Sequence, residues 1–138
     1  MSDNVIPNNA QIYRQLSPIT LAFMGDAVYE QLVREYIVRN MSNLLPAKLH
    51  KKSVELVNAS AQAEAVSRIA SSLTIEEHDI LRRGRNAHSS HIPKNANPLD
   101  YRHATGLEAL FGYLFLCEEH DRIKQIFELI INNQKQIG

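Results

Sequence analysis

Two carboxylates stand out in this sequence because of where they sit. Asp26 is the only charged residue between Arg14 and Glu30, and Glu108 is the only one between His103 and Glu118. Both lie in apolar stretches with helical spacing, where an isolated charge is costly unless it is neutralised or paired. Neither has a Lys or Arg three or four residues away that could compensate it within its own helix. Gly25 adjoins Asp26, and Gly112 follows Glu108 by one turn. A glycine inside a helix costs about 1 kcal/mol relative to alanine and usually marks close packing. If the two helices cross at these glycines, Asp26 and Glu108 become neighbours. Two carboxylates with water and phosphate oxygens filling the remaining positions suit Mg²⁺, which can activate water and stabilise charge on a scissile phosphate. The alternative is structural: each acid is partly exposed, or accepts a hydrogen bond from a distant side chain.

A second chemical feature is cationic. Between Arg82 and His103 lie four Arg and one Lys against a single Asp100, a local excess of +4 in a chain whose fifteen basic and fifteen acidic residues otherwise cancel. Such concentration is the footprint of a phosphate-backbone reader. Arg82, Arg83, Arg85, Lys94 and Arg102 are the candidate contacts, with His50, Lys51 and Lys52 as a second cluster. The competing reading is a solvated face and an idle loop. Few aromatics interleave the cations, so recognition of a duplex by shape and phosphates is favoured over base stacking on single strands. His88 and His91 invite a zinc reading, which fails for want of further ligands at typical spacing. Glu30 with Arg34 reads as an ordinary i,i+4 helix pair.

The elements that must position these residues are helices, and the pattern predicts an all-α fold. Ser17 as N-cap and Pro18 at the first helical position open a helix running to about Val38, apolar nearly all round from Ile19 to Tyr29. Helices are expected from Pro46 to about Val57 and through Val66, Ile69, Ala70 and Leu73. Thr74 and Glu77 form a capping box that opens another, ending near Arg83-Gly84. Arg85 to Leu99 is turn-rich, and an interior loop of that length is a candidate substrate contact. A helix from about Asp100 to Cys117 follows. Ile123, Ile126, Phe127, Ile130 and Ile131 give the last helix its stripe.

With 138 residues, 44% of them hydrophobic and 22% charged, the chain predicts a single globular domain, residues 1–138, with 1–16 as a flexible polar N-terminus. The lone Cys117 excludes an internal disulfide and a multi-cysteine zinc site. No stretch reads as a secretory signal or approaches the roughly 20 apolar residues of a membrane span, so a cytoplasmic protein is expected.

The residues Leu21-Ala22-Phe23-Met24-Gly25-Asp26-Ala27-Val28-Tyr29-Glu30 resemble the signature helix of ribonuclease III. Ala104-Thr105-Gly106-Leu107-Glu108-Ala109-Leu110-Phe111-Gly112-Tyr113 resemble its second acidic helix. Between them, Arg82-Arg83-Gly84-Arg85-Asn86-Ala87 and Pro93-Lys94-Asn95 look like the loop of the short, Mini-ribonuclease III branch, and the resemblance spans roughly Ser17 to Phe127. That branch lacks the C-terminal double-stranded RNA-binding domain, for which no room is expected before Gly138. The resemblance implies the ribonuclease III catalytic fold, a homodimeric helical bundle. It also implies Mg²⁺-dependent hydrolysis of double-stranded RNA leaving 5′-phosphate and 3′-hydroxyl ends, with Mn²⁺ able to stand in. Maturation of bacterial large-subunit (23S) ribosomal RNA is the implied role, with a large-subunit ribosomal protein as a further candidate partner. Carried over by position, Asp26 and Glu108 are the catalytic, metal-binding acids and Phe23 an interface residue, while the cationic segment makes Arg82, Arg83, Arg85, Asn86, Lys94 and Arg102 the expected RNA contacts. A core phenylalanine is the alternative for Phe23. Ala22 and Thr105 stand where full-length ribonuclease III has acids, which leaves the number of metal ions open.

Two further functions compete with the endoribonuclease. One is a non-catalytic duplex-RNA-binding dimer acting in ribosome assembly. The other is an unrelated helical phosphohydrolase of small nucleotides, which would explain the carboxylates but not the basic loop.

Overall fold

The computed structural model describes residues 9–41, 43–87 and 92–137, and the described residues contain helices and no strand. In chain order these are α1 (Asn9–Arg14), α2 (Pro18–Met41), α3 (Pro46–Val57), α4 (Ala59–Ile69) with a 3-10 turn at Ala70–Ser72, α5 (Ile75–Asn86), α6 (Pro98–Leu116) and α7 (His120–Ile137). The all-α expectation holds. α1 was not anticipated: it places a helical turn inside the segment expected to be a flexible polar N-terminus.

The local signals explain most boundaries. Ser17 Oγ accepts the Ile19 amide at 3.2 Å and Pro18 begins α2. Thr74 and Glu77 close the expected capping box at the start of α5. Asn97 caps α6 by accepting from the amides of Leu99 and Asp100, so that helix starts two residues earlier than expected. α5 runs past Gly84 to Asn86, and the connection to α6 is correspondingly shorter than the sequence suggested. α6 ends where Glu118 takes a left-handed φ of 58° and the Glu119 amide reaches back to the Leu114 carbonyl at 2.9 Å. That arrangement turns the chain sharply into α7.

α6 is the central helix, packed against α2, α5 and α4. It buries Leu107, Ala109, Leu110, Phe111, Tyr113 and Leu114. Tyr29 of α2 stacks edge-on against Phe111 and Phe127, with ring centroids 5.1 and 5.8 Å apart. The stripe Ile123, Ile126, Phe127, Ile130 and Ile131 is buried, as its spacing predicts. Burial of these side chains, at about 1.5–3 kcal/mol each, supplies the main drive that fixes the scaffold. None of the described helices is long and apolar enough to cross a membrane.

Candidate active site

α2 and α6 cross glycine to glycine. A Cβ placed on Gly25 would lie 1.6 Å from the Glu108 carbonyl oxygen and 2.8 Å from the Gly112 amide nitrogen. A Cβ on Gly112 would lie 2.0 Å from the Leu21 carbonyl oxygen. Only glycines allow so close an approach, as their placement in the sequence suggested. Its consequence is local: Asp26 and Glu108 face one another across the crossing, near enough for their carboxyl groups to share a hydrogen bond.

The two acids are not equally enclosed. Glu108 is half-buried, whereas Asp26 is exposed on the surface of the chain. The expectation that both lie in an apolar interior is corrected for Asp26, which the glycine crossing brings beside Glu108 but leaves exposed. Burial, and then the neighbouring Asp26 charge, push the Glu108 carboxyl up to about 7, while the Gln62 amide works in the opposite direction. Among the described residues neither acid forms an ion pair with a Lys, Arg or His. Two adjacent carboxylates without a cation fit a divalent metal, which would supply the missing charge. Ala22 is buried, and the Thr105 hydroxyl is turned back onto the Tyr101 carbonyl at 3.0 Å, so neither adds an acid. No group of three or more His, Cys, Asp or Glu side chains is placed to hold a metal among the described residues.

Gln62 was missed by the sequence reading. It is 3% exposed, and its Nε2 donates to the Val57 carbonyl at 2.8 Å and to Glu108 Oε2 at 3.3 Å. A signal for it exists: Gln62, Ala65, Val66 and Ile69 form the buried i, i+3, i+4, i+7 stripe of α4, and Gln62 is the polar member. Tyr29 and Arg68 also lie within electrostatic reach of this centre. Burial pushes the Tyr29 phenol up, the Arg68 charge works against that, and the Glu108 charge adds to it.

The cationic residues divide by what they touch. Arg82 pairs with Asp79 on its own helix. Arg83 donates to the carbonyls of Arg14 and Leu16 at 2.7 and 3.4 Å, closing the C-terminal end of α1. Its guanidinium is therefore already engaged within the chain. Arg85 Nε reaches Asn86 Oδ1 at 3.4 Å, while Lys94 and Arg102 are exposed and form no ion pair among the described residues. His88 and His91 lie outside the described residues. The second cluster, around His50 on α3, borders a cleft of about 250 Å³ between α2 and α3, lined also by Arg34, Ile37 and Ser53. Neither acid lines that cleft. Glu30 takes Arg34 at 3.1 Å and Ser53 at 3.4 Å, in keeping with a plain helix pair. Phe23 is 83% exposed, which removes the reading of it as a core residue.

Comparison with known proteins places the chain among relatives. The Ribonuclease III domain family matches residues 19–119. A Mini-ribonuclease 3 from a Thermoanaerobacter species is 50% identical over 116 residues, covering 84% of this chain and 81% of the relative. Mini-ribonuclease 3 of Staphylococcus aureus is 40% identical over 131 residues, covering 94% and 95%. A crystal structure of a Fusobacterium nucleatum protein superposes with a TM-score of 0.78 at 30% identity, covering 86% of this chain and 96% of that one. The chain therefore belongs to the ribonuclease III family, with Mini-ribonuclease 3 proteins among its relatives.

Proposed function

We propose that the chain is a divalent-metal-dependent endoribonuclease that cuts double-stranded RNA as a homodimer and takes part in maturing large-subunit (23S) ribosomal RNA. The observation that carries this reading is the unneutralised pair Asp26 and Glu108, held together by the Gly25–Gly112 crossing. These two residues would hold Mg²⁺, which supplies a water activated at neutral pH and charge to stabilise the scissile phosphate. Glu108, backed by the glycine crossing, keeps its carboxyl group in place, and Asp26 presents its own from an exposed helix face open to a polymer.

Arg85, Asn86, Lys94 and Arg102 are the proposed duplex contacts, with Arg82 available once it leaves Asp79. Arg83 serves first to dock α1. Phe23, with Ile19 one turn before it, is bare on the same helix as Asp26. Exposed apolar side chains of this size favour cover by a second copy, and two-fold symmetry would then supply two equivalent sites for the two strands. A cytoplasmic location and a large-subunit ribosomal protein as a further partner belong to the same reading.

The test is incubation of the purified protein with a long RNA duplex and Mg²⁺, beside a nucleotide mixture. The expected outcome is cutting of the duplex alone, stopped by excess chelator and abolished by Asp26→Asn and by Glu108→Gln, with duplex binding kept in both variants. Duplex retention without cutting at any metal concentration would favour the ribosome-assembly reading, and hydrolysis of the nucleotides would favour a small-molecule phosphohydrolase.

A further inference from the structure

We infer that Gln62 is a positioning residue for Glu108: its amide fixes the carboxylate orientation that the metal site requires. The inference rests on the proposed metal-dependent reading of the Asp26–Glu108 pair. α4 brings Gln62 to Glu108 through a short chain of fixed points. Asn58 caps α4 by accepting from the Ala61 amide at 2.8 Å, and Val57, the last residue of α3, offers its carbonyl to Gln62 Nε2 at 2.8 Å. That second contact decides which way the amide faces. With the amide reversed, Oε1 would confront the Val57 carbonyl oxygen, two acceptors with no proton between them. Nε2 is thus held in place by a group independent of Glu108, and it presents its remaining N–H to Glu108 Oε2 at 3.3 Å.

The arrangement also leaves Gln62 Oε1 buried with no partner among the described residues. A buried acceptor left unpaired costs free energy, and a side chain chosen only to fill the α4 stripe would be apolar like Ala65, Val66 and Ile69. Retaining an amide there is explained by what its N–H does at Glu108. One donor on Oε2 limits rotation of the carboxylate and leaves Oε1 of Glu108 for the ion. Side chains that orient metal ligands in this way commonly carry a factor of 10 to 100 in affinity or activity.

Gln62→Met tests this, since it keeps the length and burial of the side chain and removes the donor; Gln62→Leu is the second variant should the first not fold. Mn²⁺ binding to the RNA-free protein is measured calorimetrically beside duplex cleavage. The expected result is Mn²⁺ affinity lowered by about tenfold and kcat lowered by a similar factor. The KM and the chelator-state affinity for duplex should stay at the parent values. A merely structural role would instead lower the melting temperature and leave the Mn²⁺ affinity of the folded fraction unchanged, which would overturn the inference. Glu108→Gln is run alongside. If it loses Mn²⁺ binding while Gln62→Met and Gln62→Leu match the parent, the role of Gln62 fails alone; if it also binds and cuts like the parent, the metal site itself fails.

Discussion

Glu77 and Glu108 are the same side chain in opposite circumstances. Glu77, 6% exposed, accepts the Thr74 amide at 2.9 Å and holds Arg122 through two bonds of 2.8 Å, while Arg122 also donates to the Ser72 carbonyl. Burial works against its charge, but the Arg122 and Thr74 hydrogen bonds outweigh it and hold the carboxyl below its usual range. Glu108 is less enclosed, yet burial and Asp26 push it upward, with only the Gln62 amide opposing. The difference separates an acid whose charge is answered inside the chain, tying α5 to α7, from one that no cation among the described residues answers.

The contrast can be broken most severely at the crossing that places Glu108 beside Asp26. Gly25→Ala is expected to cost about 3 kcal/mol or more, because the new methyl meets backbone that cannot rotate away. Chemical denaturation would read this as a midpoint shift or as failure to fold. Gly84→Ala, whose Cβ would sit 2.8 Å from Gly106 Cα and 2.9 Å from Ala109 Cβ, should cost less.

Removing the answer to Glu77 comes next. Arg122→Ala should destabilise by about 2–3 kcal/mol at pH 7, since it leaves a buried carboxylate unpaired. The pH dependence follows from the lowered folded-state value. The contribution of Glu77 is fully present above the carboxyl range of the unfolded chain and is lost as pH falls through its lower folded value. Denaturation of parent and variant should therefore differ by a constant amount above about pH 5 and converge in stronger acid.

The smallest effect has the reverse sign. In chelator, Glu108→Gln should stabilise the protein by about 1–2 kcal/mol at pH 8 and by almost nothing below about pH 4, after allowance for partial solvent exposure. The folded-state value of Glu108 is raised, so its favourable contribution belongs to the protonated form and is lost as pH rises through about 7. A variant without that ionisation escapes the loss. Equal stability of parent and variant at both pH values would mean that Glu108 is not held against an unneutralised neighbour.

Much of this was readable in the residues, for reasons that are local. Helix boundaries at Ser17-Pro18 and Thr74/Glu77 followed their caps, the start of α3 followed its proline, Pro46, and the α7 stripe followed its period. The Asp26–Glu108 juxtaposition was legible because glycines inside apolar helices have few uses other than close approach. What was missed depends on distant partners. The single helical turn of α1 is too short to show a period, and it is kept in place by Arg83, some seventy residues away in the chain. Arg83 itself looked like its neighbours, since a cation bound to backbone carbonyls and one facing solvent have the same sequence signature. The exposure of Asp26 was hidden because an apolar helical segment reads the same in sequence whether or not the chain covers the side that bears its one acid. Gln62 was visible as a polar interruption of an apolar stripe, but its partner was not.

The glycine crossing also limits how this site can change over generations of mutation. At Gly25 and Gly112 every other amino acid brings a Cβ into the opposing backbone, so the distance between the two helices has no nearby variants: it can be kept or lost, but not adjusted. Alteration of the gap between the two acids is left to the side chains, in steps as coarse as one methylene, as in Asp26→Glu. A lineage seeking a different metal or a different cleavage geometry would find its freedom in what surrounds the acids, at positions such as Ala22, Gln62 and Thr105, rather than in the scaffold that carries them.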